Sequence, residues 1–258
     1  MVCSLVHSSS ASTLTTSSNS TAVARVVVTC LQDQERALLR LKRSFTTTTD
    51  STMAFRSWKV GTDCCGWAGV RCGDADGRVT SLDLGNWGLE SAGLDPALFD
   101  LTSLRYLNLA WNNFNSSKLP SIGFERLTNL TNLNLSDTTF FGEVPHNIGR
   151  LTNLVSLDLS VSFEIFEMPD YKYGFDPDSI GQLVVTNLTS LVANLVSLRE
   201  LNLGWADLSE STDWCYALSM YARNLRVSWP IIHSSVFSSL ATMTSKDGFL
   251  PNSLNIRN

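Results

Sequence analysis

The chain has 258 residues and no run of 18 or more apolar ones, so it encodes no helix long enough to span a bilayer. Positive charge is also scarce. Nineteen Lys and Arg stand against 24 Asp and Glu, a net charge of −5, and no basic stripe is present to displace the counterions of a nucleic acid. Nucleic acid is therefore excluded as an expected partner. Histidine is limited to His7, His146 and His233, none within a metal or nucleophile motif, and no glycine-rich loop is placed to cradle a phosphate. These absences argue against an enzyme: no catalytic residue, no metal and no cofactor is expected.

What the chain does contain is one phrase repeated five times: Leu82-Asp83-Leu84, Leu107-Asn108-Leu109, Leu133-Asn134-Leu135, Leu157-Asp158-Leu159 and Leu201-Asn202-Leu203. The first four are spaced 25, 26 and 24 residues apart, inside the period of roughly 20 to 29 that marks leucine-rich repeats. An isolated unit of this kind cannot bury its own leucines, and stacking on neighbours removes them from water. Alternation along each strand sends Leu107 and Leu109 inward and leaves Tyr106 and Asn108 outward. The expected fold class is α/β: a leucine-rich-repeat solenoid with a curved parallel sheet on its concave face. Such coils present an extended binding surface rather than an enclosed pocket.

Four of the six cysteines, Cys30, Cys64, Cys65 and Cys72, fall within 43 residues directly before the first repeat. Adjacent Cys64 and Cys65 lack the spacing with which a tight turn offers two thiolates to one zinc ion, so disulfides are favoured over a metal. A bond between the two neighbours is strained, and Cys30 to Cys64 with Cys65 to Cys72 is the simplest pairing that survives. Cys3 and Cys215 are left as unpaired thiols. Disulfides imply an oxidising compartment, which makes residues 1–29 a leader. It is an atypical one: 13 of those residues are Ser or Thr and the first basic residue is Arg25, although Ala22-Val23-Ala24 fits a small-residue cleavage pattern.

Residues 31–45 read as an amphipathic helix with Asp33 as N-cap and Leu38, Leu41 and Phe45 on one face. Residues 30–78 then form a disulfide-stapled helical cap over the apolar end of the first repeat. About five to six repeats occupy 79–227. The fifth phrase follows the fourth by 44 residues, so an insertion is expected near 162–182, and 228–258 is an off-pattern tail. The ninth position of each repeat, where an Asn amide often ties successive turns together, holds Trp87, Asn112, Thr138, Ser162 and Ala206. With one Asn in five, looser coupling between turns is expected.

The block Cys64-Cys65-Gly66-Trp67-Ala68-Gly69-Val70-Arg71-Cys72, followed by VTSLDL at 79–84 and GEVPHNIGRLTNL at 142–154, resembles plant leucine-rich-repeat proteins. The resemblance is greatest to the N-terminal ectodomain of a plant receptor-like protein; receptor-like kinase ectodomains and polygalacturonase-inhibiting proteins are similar. It implies a non-catalytic extracellular or cell-surface recognition module in defence or development signalling. The partners so implied are a protein, peptide or glycan ligand and a co-receptor kinase. It also supports the disulfide pairing above. The alternatives are a secreted inhibitor of microbial cell-wall hydrolases and a truncated remnant without function.

Candidate ligand contacts are the outward aromatics Tyr106, Trp111 and Trp205, with the acids Asp137 and Glu200, because Trp and Tyr dominate binding hot spots. The Asp or Asn between the paired leucines reads simply as a polar residue facing water. Asn19, Asn115, Asn129, Asn134 and Asn187 head N-x-Ser/Thr sequons, expected glycan acceptors in a secreted protein. A glycan on Asn134 would stand on the concave face.

Overall fold

The computed structural model describes residues 29–46, 54–161, 182–221 and 225–228. The leader through residue 28, with Cys3 and Asn19, nearly all of the insertion and the tail beyond 228 lie outside the described residues.

The strands, in chain order, are β1 (Val70–Cys72), β2 (Val79–Asp83), β3 (Tyr106–Asn108), β4 (Asn132–Asn134), β5 (Gly142–Glu143), β6 (Ser156–Asp158), β7 (Leu183–Val184), β8 (Glu200–Asn202) and β9 (Arg226–Ser228). One sheet runs β1-β2-β3-β4-β6-β8-β9. It is antiparallel at β1–β2 and parallel, with unshifted register, from β2 onward. Leu82, Leu107, Leu133, Leu157, Leu201 and Val227 therefore form one inward row, and all are buried. Strand β9 is a sixth repeat. The sheet passes directly from β6 to β8, so the extra chain before the fifth phrase leaves the concave stacking undisturbed.

A second, lateral ladder was not legible in the leucine pattern. Gly142 and Glu143 of β5 pair in parallel with Leu183 and Val184 of β7. Bridges of the same kind join Glu90 to Asn113, Lys118 to Phe141 and Val184 to Asp207, while Thr46 just after the cap helix meets Glu90. Each repeat thus makes two sets of backbone bonds to its neighbour. The return segments carry 3-10 turns at Pro96–Asp100, Phe124–Arg126 and His146–Arg150, then short α-helices at Leu188–Val192 and Trp214–Tyr221. Asp213 clamps the start of the Leu188–Val192 helix from the following repeat, accepting from the amides of Leu188 and Thr189 at 3.3 and 2.8 Å. Burial pushes its carboxyl up, but hydrogen bonds involving Thr189 and Ser211 outweigh this and bring it down to about 2.

The cap helix α1 spans Gln32–Ser44 and buries Gln34, Ala37, Leu38 and Leu41. Its N-cap is Leu31 and makes no side-chain bond; Asp33 lies inside the first turn, where its charge suits the positive end of the helix. Buried Gln34 accepts from the Val79 amide at 3.3 Å, joining α1 to the first strand of the repeats. Below it Trp58 stacks on Trp67 and donates to the Ala68 carbonyl at 2.9 Å. Phe55 bridges Trp58, Trp87 and Phe45, and the line of rings continues through Phe114 to Phe140. Cys30 is bonded to Cys64 and Cys65 to Cys72, with Cα separations of 5.4 and 5.3 Å.

The expectation of loose coupling between turns meets an unbroken run of backbone bonds. Asn86, Trp111, Asp137 and Val161 donate to Ala110, Ser136, Ser160 and Gly204 of the next repeat at 2.8 to 3.0 Å. Backbone amides thus do the linking where the asparagine is missing. Where it is present it does more: the Asn112 amide nitrogen donates to the carbonyls of Leu84, Leu109 and Ala110, and its oxygen accepts from Leu89. Asn112→Ala strands these buried groups and is expected to cost about 2 to 3 kcal/mol in urea unfolding. Thr138→Ala, which loses one bond to Leu135, should cost about 1.

Candidate functional site

The parallel register lays the outward side chains in straight rows across the concave face. One row reads Arg71, Ser81, Tyr106, Asn132, Ser156, Glu200 and Arg226. Tyr106 and Glu200 thus share a row three strand steps apart, about 14 Å at the usual strand spacing. Burial and then the negative charge of Asp83 push the Tyr106 phenol above its ordinary value. Glu200 lies 4.0 Å from Arg226 across exposed surface, a contact too solvated to hold either charge firmly.

The next row reads Asp83, Asn108, Asn134, Asp158 and Asn202, and its role differs from that of a polar filler. Each side-chain oxygen accepts from the amide two residues on, namely those of Gly85, Ala110, Ser136, Ser160 and Gly204, at 2.9 to 3.2 Å. This Asx turn ends the strand in each of these five repeats. Two of these side chains also bond across strands, Asn108 to Asp83 at 2.9 Å and Asn202 to Asp158 at 3.2 Å. Asp158→Ala is expected to cost about 1 to 2 kcal/mol, read from the urea midpoint, whereas Asp158→Asn retains the turn-closing acceptor and most of the stability.

The turn so formed places Asn86, Trp111, Asp137 and Trp205 at φ between 55° and 64°, the left-handed region that bulky residues seldom adopt. Trp111 and Trp205 therefore stand on a rim beside the rows rather than in line with Tyr106 and Glu200, and both are half-buried. Asp137 is a correction. It is only 6% exposed, so its side chain is not displayed to a ligand. Among the sequons, Asn115 is exposed in a left-handed turn and Asn187 is exposed while capping the helix at Leu188–Val192 through its oxygen. Asn129 is exposed but its amide nitrogen donates to the Thr102 carbonyl at 3.1 Å. Asn134 is half-buried, with its oxygen engaged by Ser136. His146 sits exposed on a return segment, away from the concave rows.

The four sulfurs of Cys30, Cys64, Cys65 and Cys72 lie within 4.8 Å of one another, the set among the described residues that could gather around a metal. Disulfide pairing engages all four. No helix among the described residues is long and apolar enough to cross a membrane. Residues missed by the sequence reading stand at the front of the concave face: Arg71, Asp83 and Trp87 line an open groove with Tyr106. The signal for them was the antiparallel hairpin that the cap adds to the first repeat, which brings Arg71 into line with Ser81.

Residues 31–73 match the leucine rich repeat N-terminal domain, and residues 103–124 and 129–151 match the leucine rich repeat. Receptor-like protein 6 of Arabidopsis thaliana is 34% identical over 215 residues, covering 76% of this chain and 20% of that protein. Receptor-like protein EIX1 of Solanum lycopersicum is 32% identical over 200 residues, covering 70% of this chain and 19% of that protein. The chain thus spans about a fifth of the length of these relatives. Among solved structures, PEPR1 with AtPEP1 superimposes with a TM-score of 0.56 at 23% identity, over 78% of this chain and 24% of that one. The Arabidopsis HAESA ectodomain in complex with an IDA peptide hormone gives 0.52 at 23% identity, over 78% and 33%. Stacked strands, lateral ladder and stapled cap define a capped leucine-rich-repeat solenoid. Within that class, the chain belongs with the plant leucine-rich-repeat proteins of the receptor-like type.

Proposed function

We propose that the chain is a non-catalytic recognition module of the cell exterior, whose concave face takes a peptide, protein or glycan ligand and works with a co-receptor kinase. The observation that carries this reading is the continuous row of outward side chains from Arg71 to Arg226, held in register by six buried hydrophobic rungs. Likeness to receptor-like proteins supports it, as do structural neighbours solved with the peptide hormone IDA and with a co-receptor. Two disulfides and exposed sequons at Asn115 and Asn187 support an oxidising, secretory setting. Tyr106, Trp111, Glu200 and Trp205 are the proposed contacts.

The test is array binding with the full secreted chain against plant-wall oligosaccharides and secreted peptides. A retained probe should lose at least about tenfold in affinity with Tyr106→Ala plus Glu200→Ala. It should be unaffected by Ile122→Ser, a change at an exposed residue on a return segment. Equal binding by all three chains, or no retained probe, would reject the concave face as the recognition surface.

A further inference from the structure

We propose that the groove at the front of the concave face is a subsite for a carboxylate-bearing sugar, a uronate unit of an oligosaccharide. This rests on the recognition reading above and assigns one part of that surface. The groove is open, of about 800 Å³, and lies where the cap hairpin meets the first two repeats. Its chemistry is ordered from one end to the other. Arg71 on β1 pairs in register with Ser81, and Ser81 with Tyr106. The Arg71 side chain is exposed and takes part in none of the ion pairs among the described residues. Asp83 lies two residues along β2 from Ser81, on the same face, and spends one oxygen on Gly85 and Asn108. Its second oxygen is left to accept from a ligand.

Two aromatic side chains line the same groove. Trp87 is held in place rather than free to collapse: its ring meets Phe55 edge-on at 5.6 Å and lies over Gly69. A Cβ on Gly69 would stand 3.0 Å from that indole and would collide with the Asp83 carbonyl, so glycine is what allows the ring to lie there. Tyr106, half-buried, adds a phenol that can donate or accept a hydrogen bond. A fixed aromatic platform flanked by a hydroxyl, a phenol and a carboxylate suits the apolar face and hydroxyl rim of a sugar. The unpaired guanidinium at one end suits a carboxylate, which its planar fork binds through two hydrogen bonds. A peptide is the weaker candidate because the lining offers no closed apolar pocket to select a side chain.

The experiment titrates a galacturonate trisaccharide, and its methyl ester as the uncharged control, into the full chain, followed by tryptophan fluorescence and calorimetry. Expected is saturable binding of the acid that weakens with added salt and falls at least about tenfold on esterification and in Arg71→Gln. Arg71 is exposed, so that variant should keep the wild-type melting curve; Tyr106→Ala gives a second loss at a different strand. No binding, equal affinity for the ester, or an unaffected Arg71→Gln chain would overturn the proposal, as would acidic peptides binding through Arg71 while the uronate does not. If an array probe still depends on Tyr106 and Glu200 while the uronate fails, the recognition reading stands and this subsite falls.

Discussion

Replacing Cys30 and Cys64 together by serine is expected to lower the unfolding free energy by roughly 4 kcal/mol, the loop-entropy value for a bond closing 34 residues. Domains are typically stable by only about 5 to 15 kcal/mol, so this is a large share. The effect should fall on the cap. Cys64 is fully buried, and the bond ties the start of α1 to the turn that carries Trp67. Without it, Leu38 and Leu41 lose their anchor over the first repeat, and residues 30–78 should become sensitive to protease before the repeats do. The Cys65 to Cys72 bond closes only seven residues, and its double serine variant should cost about 2.5 kcal/mol. Urea unfolding of both variants checks the order; a larger loss from the shorter loop would refute the entropic account. Single replacements should behave worse than double ones. Each leaves a thiol among sulfurs that all lie within 4.8 Å, where it can attack the remaining bond, and non-reducing mass mapping should then find mixed pairings.

The concave architecture was legible because one constraint writes it repeatedly: a leucine every second residue of a strand, repeated at a period that only stacking can bury. That same repetition hid what the residues between the leucines do. Asp83, Asn108, Asn134, Asp158 and Asn202 read as water-facing filler, yet each closes the turn after its strand. The signal was available, since Asp and Asn are the residues that bond their own backbone two positions on. Asp137 and Trp205 illustrate the opposite case. Exposure in the turn after the strand is not encoded by alternation: at nearly the same left-handed φ, Asp137 is buried and Trp205 half-buried. The lateral ladder escaped for another reason. Gly142 and Leu183 are 41 residues apart in sequence and pair in strands only two residues long, too short to carry a period.

Leu133→Ala is expected to cost about 3 to 5 kcal/mol, at the upper end for a buried leucine, because this side chain has neighbours on both sides. It is 1% exposed and sits between Leu107 and Leu157 in the inward row, so neither repeat can collapse into the space without breaking register. In a stacked coil, stability is approximately a sum over units and the interfaces between them. Weakening one central interface therefore does more than lower a midpoint. It separates a front body, in which Trp58, Trp67 and Trp87 pack near the cap, from a rear body built on β6, β8 and β9. Urea unfolding followed by tryptophan fluorescence should be a single transition in the parent chain and two in Leu133→Ala, the first reporting Trp205 behind β8 and the second, at higher urea, the tryptophans of the disulfide-stapled front. Asn132→Ala changes the adjacent outward residue, whose oxygen accepts only from neighbouring Thr131, and should stay within about 0.5 kcal/mol of the parent. Equal losses at 132 and 133 would mean that the alternation of faces does not govern this strand, and with it would go the assignment of Tyr106 and Glu200 to the open side, since both are placed by the same register.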